Sequence, residues 1–308
     1  MTVEQWLKIN AEKLKRAGVE LPLLDAQIIL GFSLSKDRSW LLAHPEHMLD
    51  NTLTVVANES LKKRLNHMPV AYIVGESEFY GRKFAVNEHT LQPRPETEIM
   101  IELLIDKFTN NELLPNSSII NIIDVGTGTG ALGITAALEL NKLMAEGSML
   151  KAYLIDIDQK CINLAKQNAK QLGIDATFYQ GNLLEPLLNG SRNEELRTTK
   201  NEETDSPFAV HRSPFVILAN LPYVPDSHAI NKAAMHEPKH AIFGGPDGLD
   251  YYRDLYYQIA KFSQFDSNNI IVFTESLPAQ HAELKSIAVS AGFKQTTISD
   301  FIQVFESA

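Results

Sequence analysis

The chain has 308 residues, enough for one large domain beside a smaller one, with a core that needs no covalent staples. Its 28 Lys and Arg against 38 Asp and Glu give a net charge of -10, so no long-range field favours a polyanion and bulk nucleic-acid binding is disfavoured. A single cysteine, Cys161, excludes an internal disulfide and a multi-thiolate metal centre; no apolar run nears the roughly 20 residues of a spanning helix, and MTVEQWLKIN lacks a signal-peptide pattern, so a cytoplasmic protein without membrane contact is expected.

Over residues 2–68 apolar residues recur at helical spacing: Val3, Trp6, Leu7 and Ile9, then Leu24, Ala26, Ile29 and Leu30, then Leu53, Val56 and Leu61. Breaks at Leu21-Pro22 and Ala43-His44-Pro45 divide this region into short helices, and the basic cluster Lys62-Lys63-Arg64 reads as a solvated helix face. Residues 72–86, with Gly75 and Phe79-Tyr80-Gly81-Arg82-Lys83-Phe84, predict a β-hairpin turning on glycine. In Gln92-Pro93-Arg94-Pro95-Glu96-Thr97-Glu98 the prolines stiffen the entry to a helix whose first turn is acidic.

From Ile119 onward apolar strands alternate with helical patterns, at 119–123, 152–155, 177–179, 215–218 and 270–273, and the segments 294–298 and 301–304 predict a closing strand pair. That alternation is the mark of an α/β fold with a doubly wound, mostly parallel sheet. Residues 189–213, rich in charge and poor in apolar side chains, are expected to be a flexible surface insertion.

The first of these strands ends in Asp124-Val125-Gly126-Thr127-Gly128-Thr129-Gly130, which brings bare backbone to a ligand at a helix N-terminus. Gly126-x-Gly128-x-Gly130 suits S-adenosylmethionine, whereas Gly128-x-Gly130-x-x-Gly133 matches the dinucleotide fingerprint. The next strand ends in Asp156, an acceptor for the two ribose hydroxyls of an adenosine cofactor, and Asp158 then reads as the N-cap of a helix over 159–171 that holds Cys161 as a packed residue. After the third strand, Asn182 is placed to bond an adenine amine and Leu183 to pack on the base.

The apolar run to Ala219 leads into Asn220-Leu221-Pro222-Tyr223 at the strand end that faces the cofactor. A planar nitrogen has a delocalised lone pair, so a site that alkylates it must hold its NH2 with acceptors and aim it at an electrophile. The Asn220 side-chain oxygen and the Leu221 carbonyl supply two acceptors, and Tyr223 offers a ring to pack on the amide plane. His236 and His240 are four apart, but Pro238 between them breaks any shared helical face, and no metal site is expected.

Over nearly its whole length the sequence resembles the HemK/PrmC-type glutamine N5-methyltransferases that modify translation release factors. The resemblance is carried by Leu24-Asp25-Ala26, Trp40 to Pro45, Pro69 to Gly75, Glu78 to Gly81, Pro93 to Glu98, Asp124 to Gly130, Asn220 to Tyr223, Glu237-Pro238 and Ala241 to Leu249. It implies a Rossmann-like class I methyltransferase sheet over 91–308, a helical substrate-recognition domain over 1–70 and a linking hairpin over 71–90. It implies S-adenosylmethionine as donor, S-adenosylhomocysteine as product, and as substrate the glutamine of the Gly-Gly-Gln motif of peptide chain release factors, acted on by a monomer with no sequence-specific nucleic-acid partner. Cofactor contacts carry over to Gly126, Thr127, Gly128, Thr129, Gly130, Asp156, Asn182, Leu183 and Asn220, and the substrate clamp to Asn220, Leu221, Pro222 and Tyr223. Three positions depart from the family pattern: Leu221 where proline is usual, Asn182 where aspartate is common, and Ser276 where glycine follows Glu275. Three other classes share parts of the pattern: rRNA adenine-N6 dimethyltransferases, dehydrogenases using the second glycine reading, and binding modules that keep the fold without turnover.

Overall fold

A computed structural model describes residues 1–110, 119–188, 214–261 and 270–308; the predicted insertion at 189–213 lies outside the described residues. The chain divides into two compact units: 1–77 with 86–88 and 229–237, and 78–85 with 89–228 and 238–308.

In the first unit the helical reading holds. Helices α1 (Val3–Arg16), α2 (Pro22–Leu34), α3 (Arg38–Ala43) and α4 (Asn51–Leu65) start where capping chemistry permits: Thr2 and Gln5 form a capping box, Pro22 is the first residue of α2, and Asp37 and Asp50 cap α3 and α4. Their core joins Val3, Trp6, Leu14, Ile29, Leu30, Leu41 and Leu61, and the Trp6 indole N–H donates to Asn58 Oδ1 at 3.0 Å. Three expectations are corrected. Ile9, Leu53 and Val56 share the helical period yet stay exposed, because each lies off the buried stripe of its helix. Arg64 is not part of a solvated face: its Nε donates to Asp25 Oδ2 at 2.6 Å and its side chain is 13% exposed. Residues 70–74, read partly as the start of the hairpin, form a short helix α5 (Val70–Val74) closed by Gly75 at φ 77°.

The hairpin follows as β1 (Glu76–Phe79) and β2 (Arg82–Ala85), turning through Tyr80-Gly81. A 3-10 turn at Pro95–Thr97 opens α6 (Glu98–Thr109). The second unit then runs β3 (Ile119–Val125), α7 (Ala131–Leu143), β4 (Met149–Asp156), α8 (Gln159–Leu172), β5 (Thr177–Gln180), α9 (Glu185–Leu188), β6 (Phe215–Ala219), α10 (Asp250–Lys261), β7 (Ile270–Glu275), α11 (His281–Ser290), β8 (Phe293–Ser299) and β9 (Ile302–Ser307). The sheet order is β5-β4-β3-β6-β7-β9-β8, parallel except where β9 pairs antiparallel with β7 and β8.

Both faces of this sheet are covered, which is why its strands read as continuous apolar runs. Ile120 and Ile122 of β3 pack with Val216, Leu218, Ile134 and Leu104 on one face; Ile123 and Val125 pack with Ile217, Tyr252, Leu255 and Leu284 on the other. Within the sheet the chain starts at β3, third in this order, steps outward to β4 and β5, then crosses back to lay β6 on the other side of β3. Between β3 and β6 the winding reverses, and ligands of such sheets bind beyond the carboxyl ends of the strands at that point.

Candidate active site

Strand register alone collects the candidate residues at one edge. Val125 pairs with both Ile155 and Ala219, Asp156 with Gln180, and Ala219 with Thr274. Gly126, Asp156, Gly181, Asn220 and Glu275 therefore leave the sheet side by side, since parallel neighbours lie about 4.8 Å apart. The first four open on a cleft of about 570 Å³ whose wall includes Gly126 to Thr129, Asp156, Asn182, Leu183 and Asn220 to Pro222, and Glu275 lies buried behind Asn220. Gly130 and Tyr223 are not part of that wall; Tyr223 is half-buried beside it.

The glycine turn is held by backbone. The N–H groups of Gly126 and Thr127 both donate to Ile155 O at 2.9 Å, and Gly130 N–H closes the loop on Thr127 O at 2.8 Å. Gly126, Gly128 and Gly130 have φ of 71°, 54° and 82°, a left-handed path that side chains resist. Buried Asp124 braces it from below, its Oδ2 accepting from Thr127 Oγ1 at 2.5 Å and Gly133 N at 2.9 Å, and burial pushes its carboxyl up to about 6. Asn168, fully buried on α8, ties the turn to the hairpin: its Nδ2 donates to Thr129 O at 2.8 Å and Ala85 O at 3.0 Å, and its Oδ1 accepts from Ala85 N at 2.8 Å. Nothing in the helical pattern of α8 marked that residue beyond a polar side chain on an apolar face.

Asp156 reaches the same turn, Oδ2 accepting from Gly128 N and Oδ1 from Asp158 N, each at 2.9 Å. Burial raises its pKa, against those two bonds. An ionised carboxylate has about four lone-pair positions, so both oxygens keep capacity for hydroxyl donors from the cleft. Asp158 caps α8 by accepting from Lys160 N at 2.8 Å, and Cys161 is buried with its thiol on His89 O at 3.3 Å, both as the sequence predicts. Leu183 is 7% exposed with φ 52°, and the half-buried Asn182 donates through its side-chain amide to Glu185 Oε1 at 3.2 Å.

At the β6 end of the cleft, Asn220 Nδ2 donates to Thr97 Oγ1 at 2.9 Å and to Glu275 Oε2 at 3.1 Å. Thr97 Oγ1 donates to Glu275 Oε2 at 2.7 Å, and the Tyr223 hydroxyl to Glu275 Oε1 at 3.0 Å. Burial raises the Glu275 pKa, opposed by the bonds from Thr97 and Tyr223. Among the described residues, neither Asn220 Oδ1 nor Leu221 O accepts a hydrogen bond. Of the neighbouring carbonyls, Tyr223 O accepts from Gln280 Nε2 at 2.8 Å and Ala219 O from the Tyr252 hydroxyl at 3.1 Å, while Pro222 O is packed against Gly244, where a Cβ would stand 2.2 Å from it. Leu221 is 3% exposed, and its N–H, which proline would lack, donates to the Tyr252 hydroxyl at 3.3 Å. Thr97 and Glu275 are the members that sequence reasoning passed over as an entry turn and a strand end; the signal for Glu275 was its register beside Asn220.

Among the described residues no group of three His, Cys, Asp or Glu side chains is placed to hold a metal, and no helix is long and apolar enough to cross a membrane. Comparison with known proteins gives a match of residues 5–75 to the PrmC N-terminal domain and of residues 116–194 to a methyltransferase domain. A release factor glutamine methyltransferase of Bacillus anthracis is 35% identical over 230 residues, covering 74% of this chain and 71% of that protein. One from Vibrio cholerae is 34% identical over 254 residues, covering 81% and 76%, and one from Bacillus subtilis is 29% identical over 255 residues, covering 82% and 78%.

Proposed function

Because this chain belongs to the release factor glutamine methyltransferase family, we propose that it transfers a methyl group from S-adenosylmethionine to the side-chain N5 of the glutamine in the Gly-Gly-Gln motif of peptide chain release factors. The observation that carries this reading is the Asn220 amide at the end of β6, its NH2 engaged by Thr97 and Glu275 and its oxygen left as an acceptor on the cleft.

The residues present fit the cofactor. The glycine-rich turn Gly126-Thr127-Gly128-Thr129-Gly130 admits a ligand close to backbone, Asp156 stands at the end of β4 for ribose hydroxyls, and Leu183 offers an apolar surface beside Asn182 for a base. The cleft volume is within the range of small-molecule sites, roughly 300–1,000 Å³. S-adenosylmethionine supplies an electrophilic methyl group whose leaving group is the neutral thioether of S-adenosylhomocysteine. Asn220 Oδ1 and Leu221 O accept the two hydrogens of the substrate amide, Pro222 stiffens the turn that carries them, and the Tyr223 ring packs on the amide plane with its hydroxyl tied to Glu275. The nitrogen sheds its proton once it has become cationic, so no strong base is needed and positioning dominates the rate.

In this reading residues 1–70 grip the release factor, and the exposed Leu21, Leu23, Phe32, Leu42 and Met48 of that unit give them apolar surface to do so. The protein acts as a cytoplasmic monomer without a sequence-specific nucleic-acid partner, in keeping with its net charge of -10. The test is Asn220→Ala: cofactor affinity by calorimetry should stay near wild type while kcat falls roughly 10²-fold or more, as for loss of a transition-state hydrogen bond. An unchanged kcat would remove Asn220 from the mechanism.

A further inference from the structure

A primary amide has two nearly isosteric ends, and only the oxygen of Asn220 can accept from a substrate N–H. Something must decide which end faces the cleft. We propose that Glu275 is a positioning residue: together with Thr97 Oγ1 its carboxylate receives the NH2 of Asn220, and so keeps Asn220 Oδ1 aimed at the substrate nitrogen. This rests on the methyl-transfer reading above.

The sense of the network follows from donor counting. Glu275 Oε2 accepts from Thr97 Oγ1 at 2.7 Å and from Asn220 Nδ2 at 3.1 Å, and Oε1 from the Tyr223 hydroxyl at 3.0 Å. An ionised carboxylate has no proton to give, so a rotated Asn220 amide would set oxygen against oxygen. Thr97 agrees, since its one proton is committed to Glu275 and it can only accept from Asn220, at 2.9 Å. Both neighbours of the amide therefore demand NH2, and Oδ1 is left facing outward. Tyr223, whose ring packs on the substrate amide in the same reading, is anchored by the other oxygen of the same carboxylate.

Glu275 is 1% exposed and, among the described residues, has no cationic partner. A buried carboxylate without a counter-ion is costly for folding, and a neutral side chain would serve better if packing were its only task. The groups facing it are Asn220 and Tyr223 after β6, Glu96 and Thr97 before α6, and Tyr252 on α10, with the Arg94 cation acting on the Tyr223 hydroxyl. Of these, Glu96 is the other carboxylate and raises the Glu275 pKa further.

The experiment compares wild type, Glu275→Gln, Thr97→Val and Thr97→Ser in the full chain, with a release factor as methyl acceptor. Glutamine keeps the shape of Glu275 but can turn either its oxygen or its NH2 towards Asn220 and Thr97, so it no longer fixes which end of the Asn220 amide faces the cleft. The expected result for E275Q is a fall in kcat of roughly 10- to 10²-fold with cofactor Kd changed less than about threefold. T97V should fall in the same direction, and T97S should recover most of the loss. Wild-type kcat should also decline towards acid as Glu275 gains a proton, and E275Q should lack that limb. Full kcat in either E275Q or T97V would overturn the proposal, as would a loss of cofactor binding in parallel with kcat. If E275Q does not fold, the Thr97 pair still decides. Wild type that methylates no glutamine would instead sink the underlying reading, and this role with it.

Discussion

At the scale of single residues, the site is built from buried carboxylates doing different tasks. Asp156 faces the cleft from the end of β4, and Asp156→Ala should weaken cofactor binding by at least roughly tenfold in calorimetry, the loss of a charge-assisted pair of bonds; unchanged affinity would refute the ribose assignment. Asp124 holds the glycine turn from beneath, and its effect is on stability. Its carboxyl is raised from 3.8 to about 6 in the fold, so the folded state binds the proton more tightly than the unfolded one. The contribution of Asp124 is complete below about pH 4 and is lost as the pH rises through about 6, a change of order 3 kcal/mol. Both hydrogen bonds go to a single oxygen, Oδ2, which the Asn side-chain oxygen can replace. Urea unfolding of Asp124→Asn should therefore show a smaller drop in stability between pH 4 and 6 than wild type, and equal slopes would contradict the assignment. Asn220 and Asp156 were legible in sequence because each directly ends an apolar strand. Thr97, Glu275 and Asn168 were not, because their partners lie 178, 55 and 83 positions away and no local pattern reports such distant pairing.

At the scale of elements, the strands were legible for the reason that makes them stable. Burial on both sheet faces demands unbroken apolar runs, and runs such as Ile119 to Ile123 and Ile270 to Phe273 have no other reading once glycine turns and helices flank them. Ile123, central in β3 and fully buried, tests this: Ile123→Ala should cost about 2–5 kcal/mol in denaturant unfolding, and a loss below about 1 kcal/mol would mean the sheet is not covered there. Short elements were less legible. Helix α5 has five residues, too few to display a helical period, and is recognised from Pro69 and the left-handed Gly75 that bracket it. The loop of residues 244–249 was noted as a motif, and its purpose emerges only in three dimensions. Gly248 has φ 80°, and a Cβ there would stand 2.1 Å from Tyr223 O, so this loop is the backing plate of the Asn220 turn. Gly248→Ala should lower kcat and thermal stability together, whereas Asn220→Ala lowers kcat alone; a Gly248→Ala protein with full activity would dissociate the loop from the site.

At the scale of the molecule, a helical unit and an α/β unit are joined in one chain of net charge -10, and family membership follows from identity over most of its length. The acidic balance, the Asn220 turn and the N-terminal match to the PrmC domain point to the same class, and the dinucleotide reading of Gly128, Gly130 and Gly133 leaves Asn220 to Tyr223 without a task. In the described structure Gly133 lies within α7 and serves Asp124, its N–H 2.9 Å from that carboxylate. The most direct test is to incubate the purified protein with methyl-labelled S-adenosylmethionine and release factors and to map the label by peptide mass spectrometry. Label on the side-chain nitrogen of the Gly-Gly-Gln glutamine is the predicted result; label absent from that glutamine, or found on ribosomal RNA, would contradict it.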